Sequence, residues 1–205
     1  MSIPIDIGFD VSRETSDALV RYVAMLEKWN KAINLVARGT ISEIWSRHIA
    51  DSAQLIKLLP ASARRWVDIG SGGGLPGLVV AILSKDLEQS IAFDLVEADQ
   101  RKATFLRQVV MELSLPVSIH SCRIADLPEL KADVVSARAL APLTDLCGMA
   151  ERLLGSGGIG VFPKGAMASQ EIEVALQHWH FDLERFPSIT SPNSEILKLS
   201  KIRHV

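Results

Sequence analysis

Apolar positions in the first sixty residues recur with the period of a helix. From 14 to about 33, Leu19, Tyr22, Val23, Leu26, Trp29 and Ile33 share one stripe, and Ser12 stands where an N-cap belongs. Asn30, Asn34 and Gly39 break the pattern. A second stripe of Ile41, Ile44, Trp45, Ser52, Leu55 and Leu59 predicts a helix over about 41–59, which Pro60 ends.

After Pro60 the period shortens. Residues 66–69 read as a strand running into glycine, and Pro76 opens a helix through Leu83. Residues 91–96 are almost all apolar, as in a strand covered on both faces. Asp99 caps a helix with Phe105, Leu106, Val109, Val110 and Leu113 turned inward. Strands are predicted at 117–121, 133–137 and 159–162, with a helix over about 143–154. A helix near 170–179 leads to strands at about 181–186 and 196–202, joined by the Ser-, Pro- and Asn-rich loop 187–194. Such alternation predicts an α/β protein with an open, mostly parallel sheet covered by helices. The last two strands have no helix between them, so they form an antiparallel hairpin at one edge. The expected architecture is a Rossmann-like domain over 61–205 with a seven-stranded sheet. A helical N-terminal extension over 1–60 precedes it, and the two make one compact unit.

Charge and cysteines narrow the class. A formal net charge of −2 excludes a uniformly basic nucleic-acid binder but leaves room for a local basic face. Cys122 and Cys147 have no metal-ligand spacing and read as reduced thiols. The opening MSIPIDIGFD has no basic, then apolar, leader pattern, and the apolar run 78–83 is too short to span a bilayer. The expectation is a soluble cytoplasmic protein.

In a doubly wound sheet the ligand sits at the carboxyl ends of the strands, where strand order reverses. The first strand-to-helix turn reads Asp68-Ile69-Gly70-Ser71-Gly72-Gly73-Gly74-Leu75-Pro76-Gly77. Five glycines in the last eight of these residues let the backbone approach a ligand that side chains would exclude. Gly72, Gly74 and Gly77 satisfy G-x-G-x-x-G, with Glu97 twenty residues further on, so a dinucleotide fits the spacing. Asp68 favours S-adenosyl-L-methionine instead: a carboxylate there repels a pyrophosphate but suits an ammonium and a sulfonium. The chain also ends in a hairpin where a dinucleotide enzyme needs a second half-sheet and a substrate domain. Glu97 can accept hydrogen bonds from two ribose hydroxyls under either reading.

Several segments together resemble the RsmG family, also called glucose-inhibited division protein B (GidB). The turn 68–77 is similar to its cofactor turn. Asn34-Leu35-Val36, His48-Ile49-Ala50-Asp51-Ser52, Lys102-Ala103-Thr104-Phe105-Leu106, Ser136-Ala137-Arg138-Ala139 and Lys164-Gly165 match its short motifs in order and spacing. The chain departs in its Gly73-Gly74 pair before Leu75 and in the alanine set inside the Ser-Arg-Ala segment. The resemblance covers roughly residues 19–202 and implies a class I S-adenosylmethionine-dependent methyltransferase. Its implied substrate is N7 of a guanine in bacterial 16S ribosomal RNA, free or within an assembling small ribosomal subunit. The sequence itself, with no heptad run and no large unexplained apolar helix face, leads to the expectation of a monomer. The resemblance further implies cofactor contacts from Gly70 and Leu75 in the turn, from Glu97 to the ribose, from Ile124 and Ala125 beside the adenine, and from Arg138 near the methionine end. No metal is implied.

Guanine N7 carries an exposed lone pair and no proton, so attack on a sulfonium methyl needs in-line placement and desolvation but no general base. The sequence agrees. No [DNS]-P-P-[YFW] motif follows the fourth strand, and neither cysteine sits in a Pro-Cys or Thr-Cys pair, so no catalytic acid, base or nucleophile is named. His48, with Asp51 and Ser52 at i+3 and i+4, reads either as a core imidazole satisfied by Asp51 or as a positioning group for the pocket. Arg123, Arg138 and Lys164 all fall at strand carboxyl ends and are expected to form a rim that contacts RNA phosphates. A small-molecule methyltransferase, a nicotinamide-dependent oxidoreductase and a non-enzymatic ribosome-assembly factor remain the rival readings.

Overall fold

The computed structural model describes Ile7, residues 10–87 and residues 89–205. The opening stretch read above as lacking a leader pattern lies mostly outside the described residues. Helix α1 (Arg13–Asn30) starts where expected, with the Ser12 hydroxyl accepting from the Thr15 backbone N–H. It buries Leu19, Tyr22, Val23 and Leu26. Asn30 ends it by turning its side-chain carbonyl onto the N–H groups of Leu35 and Val36.

The regular second helix does not form. In its place are a 3-10 turn (Arg38–Glu43), a π turn (Trp45–Ala50), a single α turn α2 (Asp51–Ala53) and another 3-10 turn (Gln54–Leu58). The reason is tertiary: Thr40, His48, Asp51 and Gln54 all make side-chain hydrogen bonds that a uniform 3.6-residue period would not align.

The remaining elements follow the predicted alternation. They are β1 (Arg65–Ile69), α3 (Gly77–Leu83), β2 (Ala92–Val96), α4 (Gln100–Leu113), β3 (Val117–His120), β4 (Ala132–Ser136), α5 (Leu143–Leu153), β5 (Leu154–Lys164), α6 (Ala168–Ala175), β6 (Trp179–Pro187) and β7 (Glu195–His204). Asp99 caps α4 by accepting from the N–H groups of Arg101 and Lys102. The seven strands lie in the order β3-β2-β1-β4-β5-β7-β6, parallel except that β7 runs antiparallel to both of its neighbours. Strand β1 is therefore flanked by β2 and β4, and the chain reverses its direction of travel across the sheet there. This is the switch point at which ligands bind in such sheets.

Alternate side chains of β1 face two cores. Trp66 joins α1, α3 and α4 on one face, while Val67 and Ile69 join α5 and α6 on the other. The N-terminal segment packs into the first of these cores: Leu19, Tyr22, Leu26 and Leu55 share it with Leu78 and Phe93. Among the described residues no helix is long and apolar enough to cross a membrane.

Candidate active site

The turn after β1 takes a shape that glycine makes possible. Gly70, Gly72 and Gly74 all have positive φ, at 66°, 54° and 87°. A Cβ at Gly72 would meet nothing nearer than 3.9 Å, so the missing side chain leaves open space for a ligand. Glu97, just past the tip of β2, braces the turn. Its Oε2 accepts from the Gly72 N–H and its Oε1 from the Asp99 N–H, both at 2.8 Å. A carboxylate accepts about four hydrogen bonds, so lone pairs remain for hydroxyls. From the other side the Tyr22 hydroxyl donates to the Gly73 carbonyl at 2.6 Å, pinning α1 to the turn.

Asp68 is not where the sequence reading put it. It is fully buried beneath the turn, not open to a ligand. Trp66 Nε1 donates to Ser136 Oγ at 2.8 Å, and that hydroxyl donates to Asp68 Oδ1 at 2.6 Å. Burial pushes the Asp68 carboxyl up to about 6, against the opposing pull of the Ser136 hydroxyl and, more weakly, of Arg138. The carboxyl rests on the start of α3: a Cβ at Gly77 would lie 2.8 Å from both Cβ and Oδ2 of Asp68. Gly77→Ala should therefore cost about 1–3 kcal/mol in urea unfolding. A variant as stable as the parent would mean that Asp68 can shift freely.

Arg138 follows β4, and its backbone turns sharply at Ala139, a non-glycine residue with φ 52°. Its guanidinium donates to His48 Nδ1 at 3.0 Å, reaches the Arg47 carbonyl at 3.4 Å and lies 3.7 Å from Asp51 Oδ2. The ion-pair partner is thus Asp51. Because His48 Nδ1 accepts, its proton sits on Nε2, which faces Thr40 Oγ1 at 2.7 Å. The Thr40 hydroxyl in turn donates to the Ala37 carbonyl. Burial first, then the charges of Arg138 and Arg47, holds His48 down to about 4. The imidazole is therefore neutral at pH 7, and Thr40 and Arg138 satisfy it where the sequence reading had offered Asp51.

These groups enclose a cavity of about 320 Å³ above the turn. Gly70, Leu75, Lys102, His48, Arg138 and the strip Leu35-Val36-Ala37 line it. The volume lies within the ~300–1,000 Å³ typical of small-molecule sites. Of the predicted contacts, the fold brings Gly70, Leu75 and Arg138 to this cavity and places Glu97 against its floor. Ile124 and Ala125 lie on a short turn after β3 and line a different recess, beside α5. Lys164 is not a free rim cation: its ammonium donates to the Ala141 carbonyl and to Glu171 Oε2. Arg138 is likewise engaged, whereas Arg123 is exposed. Burial pushes the Cys147 thiol up to about 12, so it is no thiolate nucleophile. Among the described residues no cluster of His, Cys, Asp and Glu is placed to hold a metal ion.

Tyr22, Thr40 and the wall 35–37 were not read as site residues from the sequence. The one local signal was the Asn34-Leu35-Val36 motif.

A glycine turn at the switch point of this sheet, with an acid at the end of β2, defines a Rossmann-like protein with a nucleotide-type cofactor site. Two solved structures share the fold. An S-adenosylmethionine-dependent methyltransferase from Aquifex aeolicus matches with a TM-score of 0.60 at 10% identity, over 87% of this chain and 97% of that one. A TehB-like methyltransferase from Corynebacterium glutamicum gives 0.58 at 16%, over 87% and 98%. The family model for rRNA small subunit methyltransferase G (GidB) matches residues 15–197. The ribosomal RNA small subunit methyltransferase G of Cereibacter sphaeroides is 52% identical over 196 residues, 96% of this chain and 95% of that protein. This chain belongs to the rRNA small subunit methyltransferase G family.

Proposed function

We propose that this protein transfers the methyl group of S-adenosylmethionine to N7 of a guanine in 16S ribosomal RNA. The RNA is taken as free RNA or within an assembling small ribosomal subunit, and the enzyme acts as a cytoplasmic monomer. The observation that carries this reading is the absence, among the described residues lining the cavity, of any free base. His48 has both ring nitrogens engaged and is held at about 4. Asp68 is sealed beneath the turn, and Glu97 is bonded to two backbone N–H groups. A proton shed within this cavity has no receiver among the groups that line it, whereas N7 has a lone pair and no proton.

S-adenosylmethionine supplies a methyl group activated on a sulfonium sulfur. The chain's own part is placement. Gly70 and Leu75 hold the donor through the turn, Glu97 takes the ribose hydroxyls, and Arg138 borders the methionine end. The adenine extends past Glu97, whose N–H donates to the His120 carbonyl at the end of β3, to the turn of Ile124 and Ala125. Holding donor and acceptor in a fixed geometry converts collision into alignment.

The test is transfer of tritiated methyl from S-adenosylmethionine onto unmodified 16S RNA, followed by mapping of the label. Incorporation at one guanine is expected, and it should vanish when 7-deazaguanosine replaces that guanine. Label on an exocyclic amine or a pyrimidine, or transfer that survives the 7-deaza replacement, would sink the reading. Tight NADH binding without S-adenosylmethionine binding would sink it as well.

A further inference from the structure

A second cavity, of about 630 Å³, adjoins the first and shares Arg138 and Ala139 with it as a common wall. It lies over the carboxyl ends of β4 and β5, one strand further from the glycine turn. Leu140, Pro142 and Pro163 give it apolar faces suited to a flat ring.

Three carboxylates reach this space, and two are already committed. Both oxygens of Glu195 accept from the Arg185 guanidinium at 2.6 Å. Asp51 Oδ1 accepts from Gln54, Ser188 and Thr190, while Oδ2 faces Arg138. Glu171 is different. Its Oε2 accepts from Lys164 Nζ at 2.6 Å and from the Leu143 N–H at 2.8 Å, but its Oε1 makes no hydrogen bond among the described residues. Lys164, whose side chain is 9% exposed, donates to Ala141 and Glu171, which leaves one of its three N–H groups unspent. One free donor and one free acceptor thus stand side by side in the cavity. Bonds to the backbone at Ala141 and Leu143 fix their positions.

We infer that this cavity receives the acceptor base, swung out of the RNA, and that Lys164 and Glu171 read its guanine edge. Lys164 donates to O6, and Glu171 Oε1 accepts from N1–H and the 2-amino group. Enzymes that act on a base commonly extrude it and read its Watson–Crick edge in this way. The inference rests on the guanine-N7 reading above, because the edge that these two residues bind belongs to guanine. Both are specificity groups, and neither takes part in the transfer itself.

Two substrates and one variant test it: RNA with guanosine or inosine at the target position, and Glu171→Gln. Inosine lacks the 2-amino group. The wild type should prefer guanosine by about tenfold or more in kcat/KM, the loss expected for one hydrogen bond to a charged group. Glu171→Gln keeps an acceptor for the Leu143 N–H but puts an amide in place of Oε1. It should raise the KM for RNA about tenfold and bring the guanosine-to-inosine ratio towards one, with S-adenosylmethionine affinity unchanged. A wild-type ratio of one overturns the inference, and so does a folded Glu171→Gln protein that keeps the wild-type ratio. If that variant does not fold, the wild-type ratio alone decides. If the wild type methylates no guanine at N7, the function proposed above fails first. Equal methylation of guanosine and inosine at N7 removes this inference only.

Discussion

Replacing Arg138 by alanine lowers kcat/KM for methyl transfer at least about a hundredfold while the sheet stays folded. Its guanidinium forms part of the wall between the two cavities, with His48, Arg47 and Asp51 fixing it from behind. Transfer in line depends on placement, and a displacement of about 1 Å is enough for a loss of this size. The stability loss stays below the ~3–5 kcal/mol of a broken, fully buried pair. The Arg138 and Asp51 side chains are 18% and 14% exposed, and Asp51 keeps its bonds from Gln54, Ser188 and Thr190. Arg138→Lys should restore little, because one ammonium on a flexible stem does not reproduce the planar fork. His48 gives an independent readout. Without the neighbouring guanidinium its pKa rises from about 4, and burial still holds it below 6.5. Steady-state kinetics and an NMR titration check both effects. A variant within threefold of the wild-type rate would take Arg138 out of the account.

Asp68→Asn changes the way stability depends on pH. In the folded protein Asp68 titrates at about 6, against an ordinary 3.8. The folded state therefore binds the extra proton between these values, and the stability that Asp68 contributes below 3.8 is lost as pH rises through 6. The size is on the order of 3 kcal/mol. His48 works in the opposite direction. It titrates at about 4 when folded and 6.5 when unfolded, so its contribution is present above 6.5 and lost as pH falls through 4. The two slopes nearly offset each other in the wild type over pH 4–6.5. Asp68→Asn removes one of them, so the variant should gain stability with rising pH across that window, also on the order of 3 kcal/mol. Urea unfolding at several pH values measures it, and a curve parallel to the wild type would refute it.

Period and punctuation in the chain carried most of the sheet. The strands, the Asp99 cap and the glycine turn are local features, written in runs of a few residues. What local pattern does not carry is the partner of a buried polar group. Asp68 looked like a ligand-facing acid because its neighbours in sequence are glycines. Its neighbour in space is Ser136, brought alongside by the β1–β4 register. The stripe over 41–59 has a helical period, yet it folds as four short turns. His48, Asp51 and Gln54 are drawn to Arg138 and to residues 188–190, more than eighty positions away. Lys164 sat correctly at a strand end, but its partner Glu171 comes from the next helix and removes it from the phosphate rim. Ile124 and Ala125 follow β3 as read, and the recess they share with α5 comes from residues about twenty positions further on.

Asp51 ties together three parts of the chain that leave the ribosome at very different times. Its own turn is made early, Arg138 arrives with β4, and Ser188 and Thr190 appear only with the last hairpin. A nascent chain that has emerged through β5 has its parallel strands in hand, yet Asp51 still lacks two of its hydroxyl donors. The wall behind Arg138 is therefore finished only with the β6–β7 segment, and competence to methylate waits on the antiparallel edge of the sheet and not on its parallel strands alone.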